Sequence, residues 1–257
     1  MAASSPLSPK RVHMMDELRG VLILLVALYH LLYDLAVLFP VGIPWMFDPW
    51  MNNLRNLCTG TLIFISGISC LYSRSNLRRG LKTFLWGMAL TVGTFLVMPS
   101  QLILFGILHF FGVSMMLYPL LRPLLDKIPT GIGMWSCVAL YFLTFHVYSG
   151  VFGLPALGLS VPMPDFLYGH PLLFFVGFPA EGPSSADYYP LIPWIFLFLA
   201  GTFCGRWLRA GKFPDFVYQS HNPQLAFIGR HTLLIYLVHQ PLFYGLLTLI
   251  FFLVSGR

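Results

Sequence analysis

The sequence predicts an all-α integral membrane protein, a polytopic transmembrane helix bundle of about seven spans with a cytoplasmic N-terminus. Of its 257 residues 57% are hydrophobic, and the mean hydropathy is +0.76. Only 9% are Asp, Glu, Lys or Arg, whereas a soluble domain carries roughly 25% and needs them to cover its surface. Backbone groups in lipid must pair internally, and long unbroken apolar runs favour helices over the alternating strands of a barrel.

Seven apolar runs approach the ~20 residues that a spanning helix needs. The run after Arg19 lacks a small-residue cleavage site, so we interpret it as a retained helix and not as a signal peptide. Residues 1–10, with three Ser and two Pro, are predicted to form a disordered cytoplasmic tail, and residues 11–257 a single transmembrane domain. The predicted spans are 20–39, 57–73, 80–98, 102–120, 131–151, 188–207 and 231–253.

The basic residues predict the orientation. With the N-terminus inside, 13 of the 15 Lys and Arg residues fall on the inner side, and only Arg55 and Arg257 fall outside, as the positive-inside rule requires. The Pro- and Gly-rich segment 152–187 then forms an outer loop with no Lys or Arg. Its apolar piece, 172–178, is too short to span and suits a re-entrant or interfacial segment.

Two ionisable residues lie deep in the first predicted span. His30 follows Arg19 by eleven residues, which places it ~16 Å along the helix, near the bilayer midplane. Asp34 follows one turn later on the same face. Because ionisable groups inside a membrane are expensive, we expect a function for this pair. A carboxylate beside an imidazole can fix its tautomer, so the pair could remove a proton from a hydroxyl or an amine. A pair that only bridges helices is the structural alternative.

Two further histidines fall within predicted spans. His109 lies in the fourth span, where it could join His30 and Asp34 as a third catalytic residue, and His239 lies in the last span. A helix-bridging hydrogen bond would explain either residue equally well. Since His30, His109 and His239 form no HxH or HxxxH pair, we expect no metal site. The four cysteines show no CxxC pairing and are expected to be small packing residues.

Two other groups of residues are candidate binding sites. Arg19 and Arg230 each stand where a predicted span begins on the inner side, and they either anchor helix ends at lipid headgroups or bind a phosphorylated donor. The sixth span opens with two prolines three residues apart, which suit a helix start or a break beside a cavity. There Asp187, Tyr189 and Trp194 are candidate acceptor-binding residues, although the aromatic rings could equally belong to the interfacial belt.

Several motifs, in order, resemble one bacterial group of membrane proteins related to heparan-alpha-glucosaminide N-acetyltransferase, a lysosomal membrane enzyme. They begin with the first helix, ELRGVLILLVALYH (17–30), which is followed by Tyr33, Asp34 and Leu35. The other motifs are FISGIS (64–69), FGILHFFGVS (105–114), DYYPLIPW (187–194) and GRHTLLIYLVHQP (229–241). The first helix and the final LVHQP are also similar to those of membrane O-acyltransferases that modify bacterial surface polysaccharides.

The resemblance implies a transmembrane acyltransferase that takes an acetyl group from cytoplasmic acetyl-CoA, a co-substrate, to an acceptor at the outer face. His30 and Asp34 would then be the acid/base pair, and Arg19, Arg230 and His239 would lie near the donor. One departure concerns the lysosomal enzyme, in which an asparagine aligns with His30 and the active histidine falls around Val41. Here residues 40–56 contain no histidine, so the role of His30 depends on the arguments from this chain.

The expected partners are membrane lipids, an acyl-CoA donor and a glycan or other small hydroxyl or amine acceptor, with no nucleic acid and a possible homo-oligomer. The expected location is the bacterial cytoplasmic (inner) membrane. A proton-coupled small-molecule transporter is the alternative, because midplane His and Asp residues also serve proton relays. A non-catalytic membrane subunit or lipid-binding scaffold is the third hypothesis.

Overall fold

A computed structural model describes residues 11–39, 41–179, 185 and 187–255. The predicted tail, 1–10, lies outside them. Helices dominate the described residues, and the only sheet among them is one short antiparallel hairpin, β1 (Val151–Leu154) and β2 (Leu159–Pro162). The eight α-helices of this part of the chain are α1 (His13–Val37), α2 (Pro49–Ser69), α3 (Asn76–Val97), α4 (Ile107–Leu125), α5 (Thr130–Thr144), α6 (Leu191–Arg209), α7 (Pro223–Arg230) and α8 (Thr232–Ser255).

The all-α prediction is confirmed, and each of the seven predicted spans falls on a helix. Within the described residues, six helices are long and apolar enough to cross a membrane, namely α1, α3, α4, α5, α6 and α8. Helix α2 has 21 residues, so length does not separate it from the others. Its first half carries Arg55 and three asparagines, which lower its hydropathy. The short helix α7 was not predicted, because it has only eight residues and directly precedes the last predicted span.

The chain divides into two compact units, 1–62 with 208–257 and 63–207, while the expectation of a single domain stays a prediction. In the first unit α1 packs against α7 and α8. Backbones meet at two glycines: a Cβ on Gly229 would lie 1.7 Å from the Asp16 carbonyl oxygen, and one on Gly20 would lie 2.2 Å from that of Leu225. Only glycine allows α1 and α7 to approach so closely.

A buried carboxylate fastens the segment before α7 to α1. Oε1 of Glu17 accepts hydrogen bonds from the backbone N–H groups of His221, at 2.6 Å, and Asn222, at 2.9 Å, and from the Ser220 hydroxyl at 3.2 Å. The Asn222 side chain in turn caps α7 by accepting hydrogen bonds from the backbone N–H groups of Gln224 and Leu225. Charge-assisted bonds of this kind are the stronger class of hydrogen bond, so the start of α7 is well fixed on α1.

The second unit has an aromatic core. Phe110, Phe198 and Phe203 are at most 1% exposed, and they lie on α4 and α6. Helices α3 and α4 make the most extensive helix pair of this unit. Three glycines bring these two helices close together: a Cβ on Gly80 would lie 2.7 Å from the Gly112 carbonyl oxygen, one on Gly112 would lie 2.6 Å from the Phe84 Cβ, and one on Gly87 would lie 3.0 Å from His109 Nδ1.

The predicted outer loop contains the β-hairpin and several short 3-10 turns. Residues 171–175 form one of these turns, so the apolar piece predicted at 172–178 is not a long helix. Helix α6 opens at Leu191 and is interrupted at Ile192, where the backbone is extended (φ −91°, ψ 129°). The predicted helix start at the two prolines is therefore confirmed.

Candidate active site

His30 and His239 form the centre of the candidate site, and they join the first and last spanning helices. His30 Nδ1 lies 2.8 Å from His239 Nε2, and the ring centroids are 4.9 Å apart. His239 is buried, whereas His30 is only partly buried. The structure thus pairs two residues that the sequence placed in separate roles, catalysis and donor binding.

Hydrogen bonds to backbone carbonyls assign the tautomers of this pair. His239 Nδ1 lies 2.8 Å from the Tyr236 carbonyl oxygen and 3.1 Å from that of Ile235. Carbonyl oxygens only accept, so Nδ1 of His239 carries a proton and Nε2 of the neutral ring is an acceptor. His30 must then donate from Nδ1, so its Nε2 carries the lone pair. A neutral imidazole whose Nε2 carries the lone pair is equipped to act as a base.

Asp34 makes no hydrogen bond to His30, whereas the sequence suggested a direct pair. Its Oδ1 accepts a hydrogen bond of 2.7 Å from Gln240 Nε2, and its Oδ2 is buried without a hydrogen-bond partner in the described part of the chain. The side chain is 0% exposed. One helical turn brings Asp34 to the same face as His30, but α8 supplies a nearer partner to each of them. The residue that fixes the His30 tautomer is therefore His239.

His109 has structural partners at both ring nitrogens. Its Nδ1 accepts from the Gly106 N–H at 3.2 Å, so Nε2 carries the proton and donates to the Thr91 hydroxyl at 3.3 Å. The Thr91 hydroxyl in turn donates a hydrogen bond to the Ile103 carbonyl oxygen at 2.6 Å. The ring is 2% exposed. This chain of bonds ties α3 to the start of α4 and leaves no free donor for an oxyanion, so the geometry does not support the catalytic role predicted for His109.

The three residues predicted to bind the acceptor make contacts within the second unit. Asp187 Oδ2 accepts from the Ile107 N–H at 3.0 Å, which caps the N-terminus of α4, where a negative charge is favourable. Tyr189 donates its backbone N–H to Phe105. Trp194 is 7% exposed and packs against Tyr141 and Tyr189. Capping and packing account for these three residues, and their predicted role in acceptor binding is untested.

A family comparison adds to this geometry. A family model described as heparan-alpha-glucosaminide N-acetyltransferase, catalytic, matches residues 11–241. The chain belongs to this family. No curated protein and no solved structure matches the chain. Membership supports membrane acetyltransferase chemistry in general, and the matched residues include both histidines of the pair and the Asp34–Gln240 contact.

The two arginines expected near the donor lie in the first unit of this N-acetyltransferase family member. Arg19 is partly buried and donates from Nη1 to Asp16 at 3.2 Å. Arg230 is exposed in the last turn of α7. It directly follows Gly229, whose backbone closely approaches the carbonyl group of Asp16. Both cations therefore belong to the paired ends of α1 and α7, and their predicted role in donor binding stays a prediction.

Sequence reasoning missed two residues at the site of this N-acetyltransferase family member. Gln240, the neighbour of His239, holds Asp34, and Arg55 on α2 reaches Tyr29 on α1. The sequence did contain a clue to Arg55. It is one of only two basic residues predicted to fall on the outer side, which the positive-inside rule leaves poor in Lys and Arg. The described residues contain no group of three or more His, Cys, Asp or Glu side chains that could hold a metal ion.

Proposed function

We propose that this protein is a membrane-embedded acyltransferase in which His30 is the general base. It would move an acetyl or other acyl group from cytoplasmic acyl-CoA to a hydroxyl or amine of a glycan or other acceptor at the outer face. The observation that carries the proposal is the 2.8 Å contact between His30 Nδ1 and His239 Nε2. That contact leaves His30 Nε2 as the basic nitrogen of the pair.

In the proposed acyl transfer, His30 accepts and then returns a single proton. As the acceptor oxygen or nitrogen attacks the thioester carbonyl, its proton passes to His30 Nε2 and a new C–O or C–N bond forms. The tetrahedral oxyanion then collapses, the C–S bond breaks, and the imidazolium returns the proton to the leaving CoA thiolate. Throughout, His30 keeps its Nδ1–H bond to His239, whose own ring is held by the carbonyls of α8. His239 is thus a positioning residue.

The donor would approach from the inner side. Arg19 and Arg230 stand at the paired ends of α1 and α7, and a guanidinium suits the geometry of a phosphate group. Eleven residues separate Arg19 from His30, or ~16 Å of helix. An extended pantetheine arm has this order of length, so one donor could contact both ends of the first span. On this proposal the protein resides in a bacterial inner membrane, where acyl-CoA is available on one side only.

Acetyl-CoA turnover by the purified, detergent-solubilised protein tests the proposal. We expect His30→Gln to lower the rate of acetyl transfer or hydrolysis by at least ~10²-fold, the typical contribution of a general base. His13→Gln is the matched control, because His13 lies on the same helix and is partly exposed at its N-terminal end. The control should retain the wild-type rate.

An unchanged rate in His30→Gln would remove the mechanism. If the purified protein neither binds nor turns over acetyl-CoA, while proteoliposomes show solute flux that depends on a pH gradient, the protein is a transporter and the proposal fails. Mass spectrometry of the protein after incubation with labelled acetyl-CoA shows in addition whether an acetyl group stays on a histidine.

A further inference from the structure

Arg55 lies on the second turn of α2 and has no carboxylate partner. Four other arginines of the described chain do have one: Arg11 and Arg19 pair with Asp16, and Arg122 and Arg206 pair with Asp126. No Asp or Glu among the described residues lies within ion-pair distance of Arg55. A cation held within the helices of a membrane protein without a counter-charge is costly, so this residue needs a reason.

The contacts of the Arg55 guanidinium are weak. Nη1 reaches the Tyr29 hydroxyl and Nη2 reaches the Asn56 side-chain oxygen, each at 3.5 Å, while Nε is buried without a partner in the described residues. Typical N–H···O hydrogen bonds are 2.7–3.2 Å long, so neither contact is a strong one. Both acceptors are neutral. The guanidinium therefore keeps most of its capacity to donate to an anion.

Arg55 is a neighbour of the proposed base. Its guanidinium carbon lies 5.9 Å from the centre of the Tyr29 ring. Tyr29 directly precedes His30, and the centroids of those two rings are also 5.9 Å apart. The charge of Arg55 acts electrostatically on both His30 and Tyr33. An anion bound at Arg55 would thus be linked to the proposed base through the Tyr29 ring, which lies near both residues.

We propose that Arg55 forms an anion subsite that binds a carboxylate, sulfate or phosphate group of the acceptor next to the reacting hydroxyl or amine. This inference rests on the proposed acyl transfer at His30. It assigns the anion to the acceptor because the orientation places Arg55 on the outer side, opposite the basic residues expected to meet the CoA phosphates. A guanidinium binds such groups through two parallel hydrogen bonds, which Lys cannot reproduce.

Protection of Arg55 from phenylglyoxal tests the subsite directly. Purified protein in a neutral detergent is treated with this arginine reagent in the presence of D-glucuronate or of D-glucose at equal ionic strength. Mass spectrometry then follows the peptide that contains Arg55. The two sugars share their ring hydroxyls and differ in the carboxylate. We expect glucuronate to slow the modification of Arg55 and glucose to leave it unchanged. Equal protection by both, or by neither, overturns the proposal.

A set of variants separates the charge from its geometry. Glucuronate should raise the Tm of the wild-type protein more than glucose does, and Arg55→Gln should abolish that difference. Arg55→Lys should weaken glucuronate binding by ~10-fold, which is the loss of about one charge-assisted hydrogen bond. Asn53→Ala is the matched control, since Asn53 is exposed on the same helix, and it should behave as the wild type. A retained glucuronate-specific shift in Arg55→Gln would end the proposal.

Two further arms distinguish the alternatives. Phosphatidylglycerol added to the micelles tests a lipid phosphate as the ligand; protection of Arg55 by this lipid, with none by glucuronate, overturns the acceptor assignment. Acetyl-CoA turnover is measured in the same preparations. If His30→Gln keeps the wild-type rate, the proposed function fails, whatever the anion-binding experiments show. If His30→Gln loses turnover and Arg55 shows no preference for glucuronate, only the subsite fails.

Discussion

Gln240 Nε2 donates a hydrogen bond of 2.7 Å to Asp34 Oδ1, one residue along α8 from His239 and one turn along α1 from His30. The first and last spanning helices are therefore joined twice, by the histidine pair and by this amide–carboxyl pair. Two bonds restrict the rotation of each helix about its own axis more than one bond does. The Asp34–Gln240 contact thus helps to hold α1 and α8 in the arrangement in which the His30 ring meets His239.

The Asp34–Gln240 bond should contribute measurably to stability. Asp34→Ala and Gln240→Ala each leave a buried partner unsatisfied, and we expect each to cost about 1–2 kcal/mol. The double variant should cost less than the sum of the two, because both changes remove the same bond. Thermal unfolding in detergent measures all three variants. Strict additivity would show that the two side chains do not interact.

Loss of His239 should lower kcat through the orientation of His30. In His239→Phe the Nδ1–H of His30 has no acceptor, so the ring is free to adopt the other tautomer. We expect kcat to fall ~10–10²-fold, within the usual contribution of an oriented base, with little change in KM for acetyl-CoA.

The tautomer of His30 distinguishes a positioning role of His239 from a merely structural one, because a structural role would leave that tautomer unchanged. Nitrogen-15 NMR of histidine-labelled protein should show a protonated Nδ1 and an unprotonated Nε2 for His30 in the wild type. That signature should be lost in His239→Phe. A wild-type His30 that carries its proton on Nε2 contradicts the proposed arrangement.

Replacement of His109 should affect stability and leave chemistry intact. His109→Ala leaves the Gly106 N–H and the Thr91 hydroxyl without a buried partner, at a cost of roughly 1–3 kcal/mol for each such group. The Tm in detergent should therefore fall, while acetyl-CoA turnover per folded molecule stays near the wild-type value. Size-exclusion chromatography separates the folded fraction before the assay. A loss of turnover in fully folded protein would restore a catalytic role for this residue.

The glycine contact between α1 and α7 should tolerate no side chain. Gly229→Ala would place a Cβ 1.7 Å from the Asp16 carbonyl oxygen, so the helices must separate, and we expect destabilisation of several kcal/mol or a failure to fold. Gly245→Ala is the control, since a Cβ there would meet nothing within 4 Å. The control should be neutral or slightly stabilising, because Ala is the better helix former. Expression level and Tm check both variants, and a wild-type Tm for Gly229→Ala would contradict the contact.

The sequence was sufficient to predict the long helices and the position of His30 within the first of them, for physical reasons. Hydropathy and helical period are local properties, and a histidine in the middle of an apolar run is visible without any neighbour. The pairing of His30 with His239 was not predictable, since these residues are 209 positions apart. Helical spacing made Asp34 the nearest partner along the chain, whereas the rotation of α8 against α1 supplied a different one.

Two residues that the sequence marked as site candidates turn out to have structural partners. His109 and Asp187 are polar residues in apolar surroundings, the same signal that identified His30. Their partners are backbone N–H groups near the start of α4, and a backbone group leaves no trace in the sequence. Burial of a polar side chain is therefore a poor guide to function until its hydrogen-bond partners are known.

The 209 positions that separate the two histidines have a consequence for biosynthesis. The ribosome delivers His30 to the translocation machinery early and His239 almost last, so a partially inserted polypeptide lacks the acceptor for the His30 Nδ1–H. On the proposed mechanism, the base acquires its orientation only when the final helix has entered the bilayer. Premature termination anywhere upstream of α8 accordingly yields a chain in which the His30 tautomer is not fixed.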